Sequence, residues 1–109
     1  MVECTSGYHH SLFIDLLGSV WSCGNNQCGQ LGLGSNTNIS TPKKINNLPP
    51  IISVSAGNSF SLFVDANGKV WSCGYNDYGE LGLGDKKHRN VPELIPNLPK
   101  IISARACTW

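Results

Sequence analysis

The chain repeats itself, and this repeat constrains the fold more than any other feature of the sequence. When the sequence is shifted by 50 residues, positions 7–56 align with positions 57–106 without a gap, and 26 of the 50 pairs are identical. A period of this length indicates one supersecondary unit per copy, stacked on its neighbour to bury a shared core. We therefore divide the chain into a first repeat at 7–56, a second at 57–106, and partial flanking repeats at 1–6 and 107–109.

Each copy is predicted to form four short strands. In the second copy, the apolar runs at 61–65 and 69–73 flank Asp65-Ala66-Asn67-Gly68, whose Asn-Gly pair favours a hairpin with positive φ at both residues. A strand is expected near 92–95, where a proline indicates a sheet edge. The run Ile51–Ala56 is assigned as the fourth strand of the first copy. No window has a sustained helical period, so helices should be nearly absent.

Four strands in about 50 residues are typical of a β-propeller blade. Two common repeat types do not match, because Trp21 and Trp71 are each followed by Ser rather than Asp, and the chain has no Gly-Gly pair. The predicted fold class is all-β, with about two propeller blades of four antiparallel strands.

The stretches VWSCGNNQCGQLGLG and VWSCGYNDYGELGLG carry a closer resemblance. Together with a downstream proline and A-G-x-x-x-S-L-F-V-D, they resemble the repeat of the regulator of chromosome condensation family, with Glu80 replacing a glutamine of its hallmark in the second copy. The resemblance covers essentially 7–106 and implies part of a seven-bladed propeller. Because two repeats divide evenly into six or eight blades, a self-assembled ring is the alternative to a fragment of a longer propeller. Open blade edges then imply self-association.

Three chemical interpretations of the glycine- and cysteine-rich stretch are disfavoured. The glycines at 29–34 precede neither a convincing helix nor a Lys-Ser/Thr pair, which a phosphate loop needs. Cys23 and Cys28 could ligate zinc, but Tyr78 stands where Cys28 would recur. No Ser or Cys lies in a recognisable hydrolase motif. We therefore expect no cofactor, no metal site and no catalytic residue, and a protein that is not an enzyme.

The charge balance and the cysteines narrow the partners and the compartment. Eight Lys and Arg residues against seven Asp and Glu give no basic excess with which to bind nucleic acid or an acidic membrane. The N-terminal sequence lacks the pattern of a secretory signal, and five cysteines are an odd set without dense spacing. We expect a cytoplasmic or nuclear protein whose partner is another protein.

Two residues are candidates for partner binding because of the resemblance. The family's founding member is a guanine-nucleotide exchange factor for the small GTPase Ran, and the resemblance implies that histidines of a G-x-x-H-S motif and acidic residues of an N-D-x-G motif contact the GTPase. Their counterparts here are His10 and Asp77, which the other copy replaces by Phe60 and Gln27. Stabilisation of a turn is the alternative role for both residues. The predicted function is a protein–protein interaction module, and the alternative is an exchange-factor fragment acting on a Ran-like GTPase.

One further pair departs from the repeat. Leu16 and Leu17 stand where the second copy has Ala66 and Asn67, so two apolar side chains are expected at a hairpin tip. The pair is either a contact surface or a product of relaxed selection, and the sequence does not choose between them.

Overall fold

The chain folds into two antiparallel sheets of four strands each. The computed structural model describes residues 3–6, 9–79, 81–99 and 101. The sheet orders are β1-β2-β3-β4, which we call blade 1, and β5-β6-β7-β8, which we call blade 2. The strands are β1 (Glu3–Ser6), β2 (His10–Ile14), β3 (Val20–Gly24), β4 (Ile39–Lys44), β5 (Ile51–Ala56), β6 (Phe60–Asp65), β7 (Val70–Gly74) and β8 (Arg89–Leu94). Within these residues, no helix is long and apolar enough to cross a membrane.

The predicted all-β class and the four strands per blade are confirmed, but one strand belongs to the other sheet. Ile51–Ala56 pairs with β6, from Ala56 opposite Ser61 to Ile51 opposite Asp65. It is therefore the first strand of blade 2 and not the fourth strand of blade 1. A tight connection, closed by the Gly57 N–H donating to the Phe60 carbonyl at 2.8 Å, makes β5 and β6 a hairpin. The sequence period and the blade are consequently offset by one strand.

The hydrophobic core lies between the two sheets and draws on both. Leu12 of blade 1 and Phe63 of blade 2 are fully buried in it, and β5 packs against both β1 and β2. The cluster comprises Leu12, Ile14, Val20, Ile45, Ile51, Val54, Phe63 and Cys73. Since side chains alternate along a strand, the residues at every second position of β2 face this core while the others do not.

The predicted hairpin turn exists, but its conformation differs from the expectation. Only Gly68 has a positive φ, at 81°, so the prediction of positive φ at Asn67 is wrong. The Gly68 N–H donates to the Asp65 carbonyl at 3.0 Å, and the Asp65 carboxylate accepts from the N–H groups of Asn67 and Lys69. The aspartate and the left-handed glycine therefore form a three-residue loop in which Asn67 needs no special conformation.

After the third strand, each blade continues into a glycine-rich corner held by a buried asparagine. We call 25–34 corner 1 and 75–84 corner 2. Asn26 is fully buried; its Nδ2 donates to the carbonyls of Ser35 and Thr37, and its Oδ1 accepts from the Leu31 N–H at 3.0 Å. Asn76 makes the corresponding bonds in corner 2. Because these bonds define the backbone of the corner, the side chains in its middle are left to vary.

Candidate functional site

The variable middle of corner 2 carries an exposed carboxylate that two side chains hold in place. Asp77, predicted as a candidate, has a side chain that is 56% exposed. Its carboxylate accepts a hydrogen bond from the Tyr75 hydroxyl at 2.8 Å, and its other oxygen lies 2.9 Å from Nε2 of His88. These two hydrogen bonds lower the pKa of Asp77 below its usual value, and the bond from Tyr75 has the larger effect. The carboxylate is therefore ionised at neutral pH and held in one orientation.

Three aromatic rings lie close to one another beside this carboxylate. The ring centroids of Tyr75 and His88 are 4.9 Å apart, and those of Tyr75 and Tyr78 are 6.2 Å apart with a tilt of 59°. Tyr78 is 83% exposed. We call Tyr75, Asp77, Tyr78 and His88 the corner surface. Tilted contacts of this kind fix the rings relative to one another, so the surface combines exposed aromatic area with an oriented negative charge.

A second ion pair lies beside the corner surface. Arg89 Nη2 is 2.9 Å from Asp85 Oδ2, and Arg89 Nη1 donates to the Lys87 carbonyl at 2.8 Å. The hydrogen bond from Arg89 and those within the turn lower the pKa of Asp85. The segment 85–89 contains three basic residues, Lys86, Lys87 and Arg89. The charge of Arg89 is paired with that of Asp85, while Lys86 is exposed.

Corner 1 has the same backbone but none of this chemistry. Asn25 stands in place of Tyr75, and its Oδ1 accepts from the Gln27 N–H at 3.0 Å and from Gln30 Nε2 at 3.2 Å. Gln27 is the counterpart of Asp77. The corner surface is therefore a property of blade 2 alone among the two blades.

His10, the other predicted candidate, lies at the junction of the two blades and is only 3% exposed. Its Nε2 is 3.0 Å from the Ser61 Oγ, which itself donates to the Gln30 carbonyl at 2.7 Å. Since the serine proton is used in that bond, Nε2 carries the imidazole proton and donates, and the buried Nδ1 has no hydrogen-bond partner. Burial lowers the pKa of His10 to about 4, against an opposing interaction with the Phe60 backbone.

The two predicted candidates thus occupy different places. His10 is neutral and buried between the blades, whereas its neighbour His9 is exposed. In the part of the chain that the structure describes, no hydrogen bond or ion pair joins His10 to Asp77. A role in partner binding stays a prediction for both residues, and His10 would have to exert it through the blade junction.

The glycines of corner 1 are engaged within the fold. Gly29 and Gly32 have φ of 82° and 70°, and the N–H groups of Gly29, Gly32 and Gly34 donate to the carbonyls of Asn26, Gly29 and Asn90. They do not converge on a common point as a phosphate loop requires. Among the described residues, no three His, Cys, Asp or Glu side chains are placed to hold a metal ion, and Cys23, Cys28 and Cys73 are free thiols.

Leu16 and Leu17 lie at the opposite end of β3 from the corners, with exposed fractions of 85% and 84%. Asp15 holds their turn by accepting from the Leu17 and Ser19 N–H groups. A surface depression beside the turn is lined by these leucines together with Pro50 and Ile52. The predicted apolar hairpin tip is therefore present.

Sequence reasoning did not single out Tyr75 and His88. Both differ from their counterparts in the first copy, Asn25 and Asn38, and both lie near the N-D-x-G motif in sequence or in the turn that follows it. The signal that could have found them is that all four residues of the corner surface differ from their counterparts in the first copy.

The comparisons with known proteins agree with the fold. The regulator of chromosome condensation (RCC1) repeat matches residues 18–64 and 67–108, and a second description of the same repeat matches 4–30 and 51–80. The structure is similar to that of Prp20p from Saccharomyces cerevisiae, which has been studied for its binding to Gsp1p and histones, with 30% identity over 87% of this chain and a TM-score of 0.82.

Two further structures are similar to the same extent. Yeast RCC1 (Prp20) bound to Kap60 has 30% identity over 87% of this chain and a TM-score of 0.82. Human WBSCR16 has 31% identity over 95% of this chain and a TM-score of 0.84. The chain spans about a quarter of the length of these solved chains, at 25%, 24% and 28%.

Two tandem repeats, each matched in sequence, fold into two blades that superpose on part of these larger propellers. The chain therefore belongs to the regulator of chromosome condensation (RCC1) repeat family.

Proposed function

We propose that the chain is a protein–protein interaction module of an RCC1-type propeller, and that it recognises its partner with the corner surface. The observation that carries the proposal is the exposed carboxylate of Asp77, held by Tyr75 and His88 beside the exposed ring of Tyr78. Tyrosines are enriched at the centres of protein interfaces, and groups held in place before binding lose little conformational entropy.

The chemistry of the corner surface favours a partner that presents a lysine or an arginine. Asp77 offers a negative charge, and the faces of Tyr75 and Tyr78 attract cations. The proposed role is binding rather than catalysis. We propose the cytoplasm or the nucleus as its compartment, where the free thiols of Cys23, Cys28 and Cys73 stay reduced.

The test is a binding titration of the chain against Gsp1p, histones and Kap60, the proteins with which yeast Prp20 has been studied. Asp77→Gln introduces the residue that blade 1 has at the same position, and we expect it to weaken binding about tenfold or more, as does Tyr78→Ala. Gln27→Asp makes the reverse change in corner 1 and should leave the affinity unchanged. The proposal would be contradicted if the wild-type chain and its three variants bound with equal affinity, or if the wild-type chain bound none of the three partners.

A second candidate function is guanine-nucleotide exchange on a Ran-like GTPase. It is favoured by the match of Asp77 to the N-D-x-G motif and by the binding of Gsp1p to Prp20p. The measurement is the release of labelled GDP from the GTPase with and without the chain. A rate equal to that in buffer rejects exchange and leaves the binding proposal to be judged by the titration.

A further inference from the structure

The corner surface holds its carboxylate in place and leaves it able to accept further hydrogen bonds. The Tyr75 hydroxyl donates to Oδ2 of Asp77 at 2.8 Å, and Nε2 of His88 lies 2.9 Å from Oδ1. Because the ionised carboxylate has no proton to give, Nε2 is the donor in the second bond. Each oxygen thus accepts one bond, whereas a carboxylate has about four acceptor sites in all. Acceptor capacity therefore remains for a donor from a ligand.

No lysine or arginine of the described residues forms an ion pair with Asp77. The ion pairs of this region join Asp77 to His88 and Asp85 to Arg89. The Arg89 guanidinium also donates to the Lys87 carbonyl at 2.8 Å, so it is held at the segment that follows the corner. A cation brought by a ligand would therefore meet a carboxylate whose charge no lysine or arginine of this part of the chain has taken up.

The accessibility of this surface does not require blade 2 to lack a neighbour. Blade 2 packs against corner 1, and yet Gln27 and Asn38 are exposed there. They are the counterparts of Asp77 and His88. The position equivalent to Tyr78 is half-buried in corner 1. A blade packed in the same way on corner 2 would therefore leave the carboxylate and the imidazole accessible, and would cover the tyrosine only in part.

The two tyrosine rings beside the carboxylate are tilted rather than stacked. The ring centroids of Tyr75 and Tyr78 are 6.2 Å apart, the angle between the ring planes is 59°, and Tyr78 is 83% exposed. The planar guanidinium of an arginine stacks flat on an aromatic face, so it cannot lie flat on two rings tilted in this way. A tetrahedral ammonium can direct one substituent at each ring and a third at Asp77. The arrangement therefore favours a substituted ammonium over an arginine.

The number of N–H groups decides which ammonium suits this surface. An unmodified lysine has three N–H donors, two of which would face aromatic rings instead of the oxygen acceptors that water provides. Methylation keeps the positive charge and replaces N–H groups by methyl groups, which pack on aromatic faces that attract the cation. A dimethylated lysine has one N–H group for Asp77 and one methyl group for each tyrosine. A trimethylated lysine has no donor left for the carboxylate.

We propose that the corner surface binds a dimethylated lysine of the partner protein. The N–H group of the ligand would donate to the Asp77 carboxylate, and its two methyl groups would lie against the rings of Tyr75 and Tyr78. The inference rests on the function proposed above and adds the chemical group that is recognised. Corner 1 has an asparagine, a glutamine and a cysteine at the equivalent positions, so of the two blades only blade 2 carries the site.

The first test compares methylation states. Glycine-flanked lysine peptides, blocked at both ends and carrying no, one, two or three methyl groups on the lysine, are titrated into the isotope-labelled chain and followed by NMR. We expect the dimethylated peptide to bind most tightly, with an affinity about fivefold or more above that of the unmodified peptide. Equal affinity for these two peptides, or no binding of any peptide of the series, overturns the inference.

The second test asks whether the aromatic face of Tyr78 is used. Tyr78→Leu keeps an apolar side chain but removes the ring, and should lower the affinity for the dimethylated peptide about fivefold. Tyr78→Trp supplies the ring that attracts cations most strongly and should raise the affinity. Gln27→Asp in corner 1 is the matched control and should leave it unchanged. A Tyr78→Leu variant that binds the peptide as tightly as the wild type overturns the inference.

The third test asks whether Asp77 accepts the N–H group of the ligand. Asp77→Asn removes the charge with little change of shape, so the attraction to every methylated peptide should weaken. The dimethylated peptide should lose more affinity than the trimethylated one, because only the former also loses a hydrogen bond to an ionised acceptor. An equal loss for both peptides contradicts the proposed arrangement.

The inference and the proposed function can fail separately. If the chain binds Gsp1p, histones or Kap60, and Asp77→Gln weakens that binding, while the peptides are not distinguished, the proposed function stands and the inference is wrong. If the chain binds neither these proteins nor the peptides, both are wrong. Preference for the dimethylated peptide together with binding of one of the proteins that depends on Asp77 supports both.

Discussion

At the scale of the residue, one position of the repeat holds a histidine in blade 1 and a phenylalanine in blade 2. His10 and Phe60 are equivalent in the repeat and almost equally buried. A phenyl ring can be buried without loss, but a buried imidazole must stay neutral, because bringing its cation out of water is costly. Because its pKa is lowered, His10 makes the free energy of unfolding depend on pH, and Phe60 does not.

We expect His10→Phe to flatten the dependence of stability on pH. With an unfolded pKa of 6.5 and a folded pKa of about 4, the contribution of His10 is complete above pH 6.5 and is lost as the pH falls towards 4. Over that window the free energy of unfolding of the wild type should fall by about 3 kcal/mol more than that of the variant. Urea titrations of both proteins at several pH values measure the difference.

The carboxylates with lowered pKa values, among them Asp15 and Asp65, also lose stabilisation in acid, but they do so equally in both proteins. The comparison with His10→Phe therefore removes their contribution. Parallel pH profiles would mean that His10 protonates as readily in the folded chain as in the unfolded one.

The sequence contained part of this information. Leu12 and Ile14 are inward-facing positions of β2, and the alternation of a strand extends the same side to His10. Burial of His10 could thus have been predicted, as could the exposure of His9 before the strand. The bond to Ser61 could not, because it crosses between blades and depends on how the two sheets pack.

At the scale of the element, the β2–β3 hairpin explains why two leucines are tolerated at an exposed tip. Asp15 and Gly18 build the turn: the carboxylate binds the backbone and the Trp21 indole, and Gly18 has a φ of 82°. Leu16 and Leu17 need no positive φ and make no bond that their side chains determine. The Asn-Gly pair of blade 2 suggested a different turn, in which both residues have a positive φ. In both blades only the glycine of the turn has a positive φ, so the residue before it can be a leucine or an asparagine.

We expect the double change Leu16→Ala and Leu17→Asn, which copies the tip of blade 2, to alter the free energy of unfolding by less than about 0.5 kcal/mol. Gly18→Ala should cost about 1 to 2 kcal/mol, because a left-handed φ is unfavourable for alanine. Its Cβ would also lie 3.1 Å from the Ile51 backbone nitrogen. Chemical denaturation of the two variants tests the ranking, and the opposite order would show that the leucines hold the turn.

At the scale of the whole molecule, the repeat predicts the architecture but not the limits of its units. Identical residues at a 50-residue spacing are sufficient to predict stacked four-stranded blades. They cannot show whether Ile51–Ala56 pairs with the strand before it or after it, since any starting point gives the same period. Hydrogen bonding to β6 decides this, and it follows from the short connection at 57–59.

A split of the chain should reveal the true unit. Separate polypeptides 1–46 and 47–109 keep both sheets whole and break only an exposed loop, whereas 1–56 and 57–109 remove β5 from its hairpin. We expect the first pair to regain the circular dichroism of the intact chain on mixing and the second pair to do so less completely. Equal recovery would mean that the hairpin connection adds nothing to the assembly of blade 2.

The offset between repeat and blade has a consequence for how such proteins can grow. When a 50-residue segment is duplicated in its gene, the last strand of the older copy becomes the first strand of the sheet completed by the new one. Ile51–Ala56 shows this in the present chain, where residues from the first period are hydrogen-bonded into blade 2. Each added copy therefore shares a sheet with residues of its predecessor, so neighbouring repeats are joined by strand pairing as well as by packing.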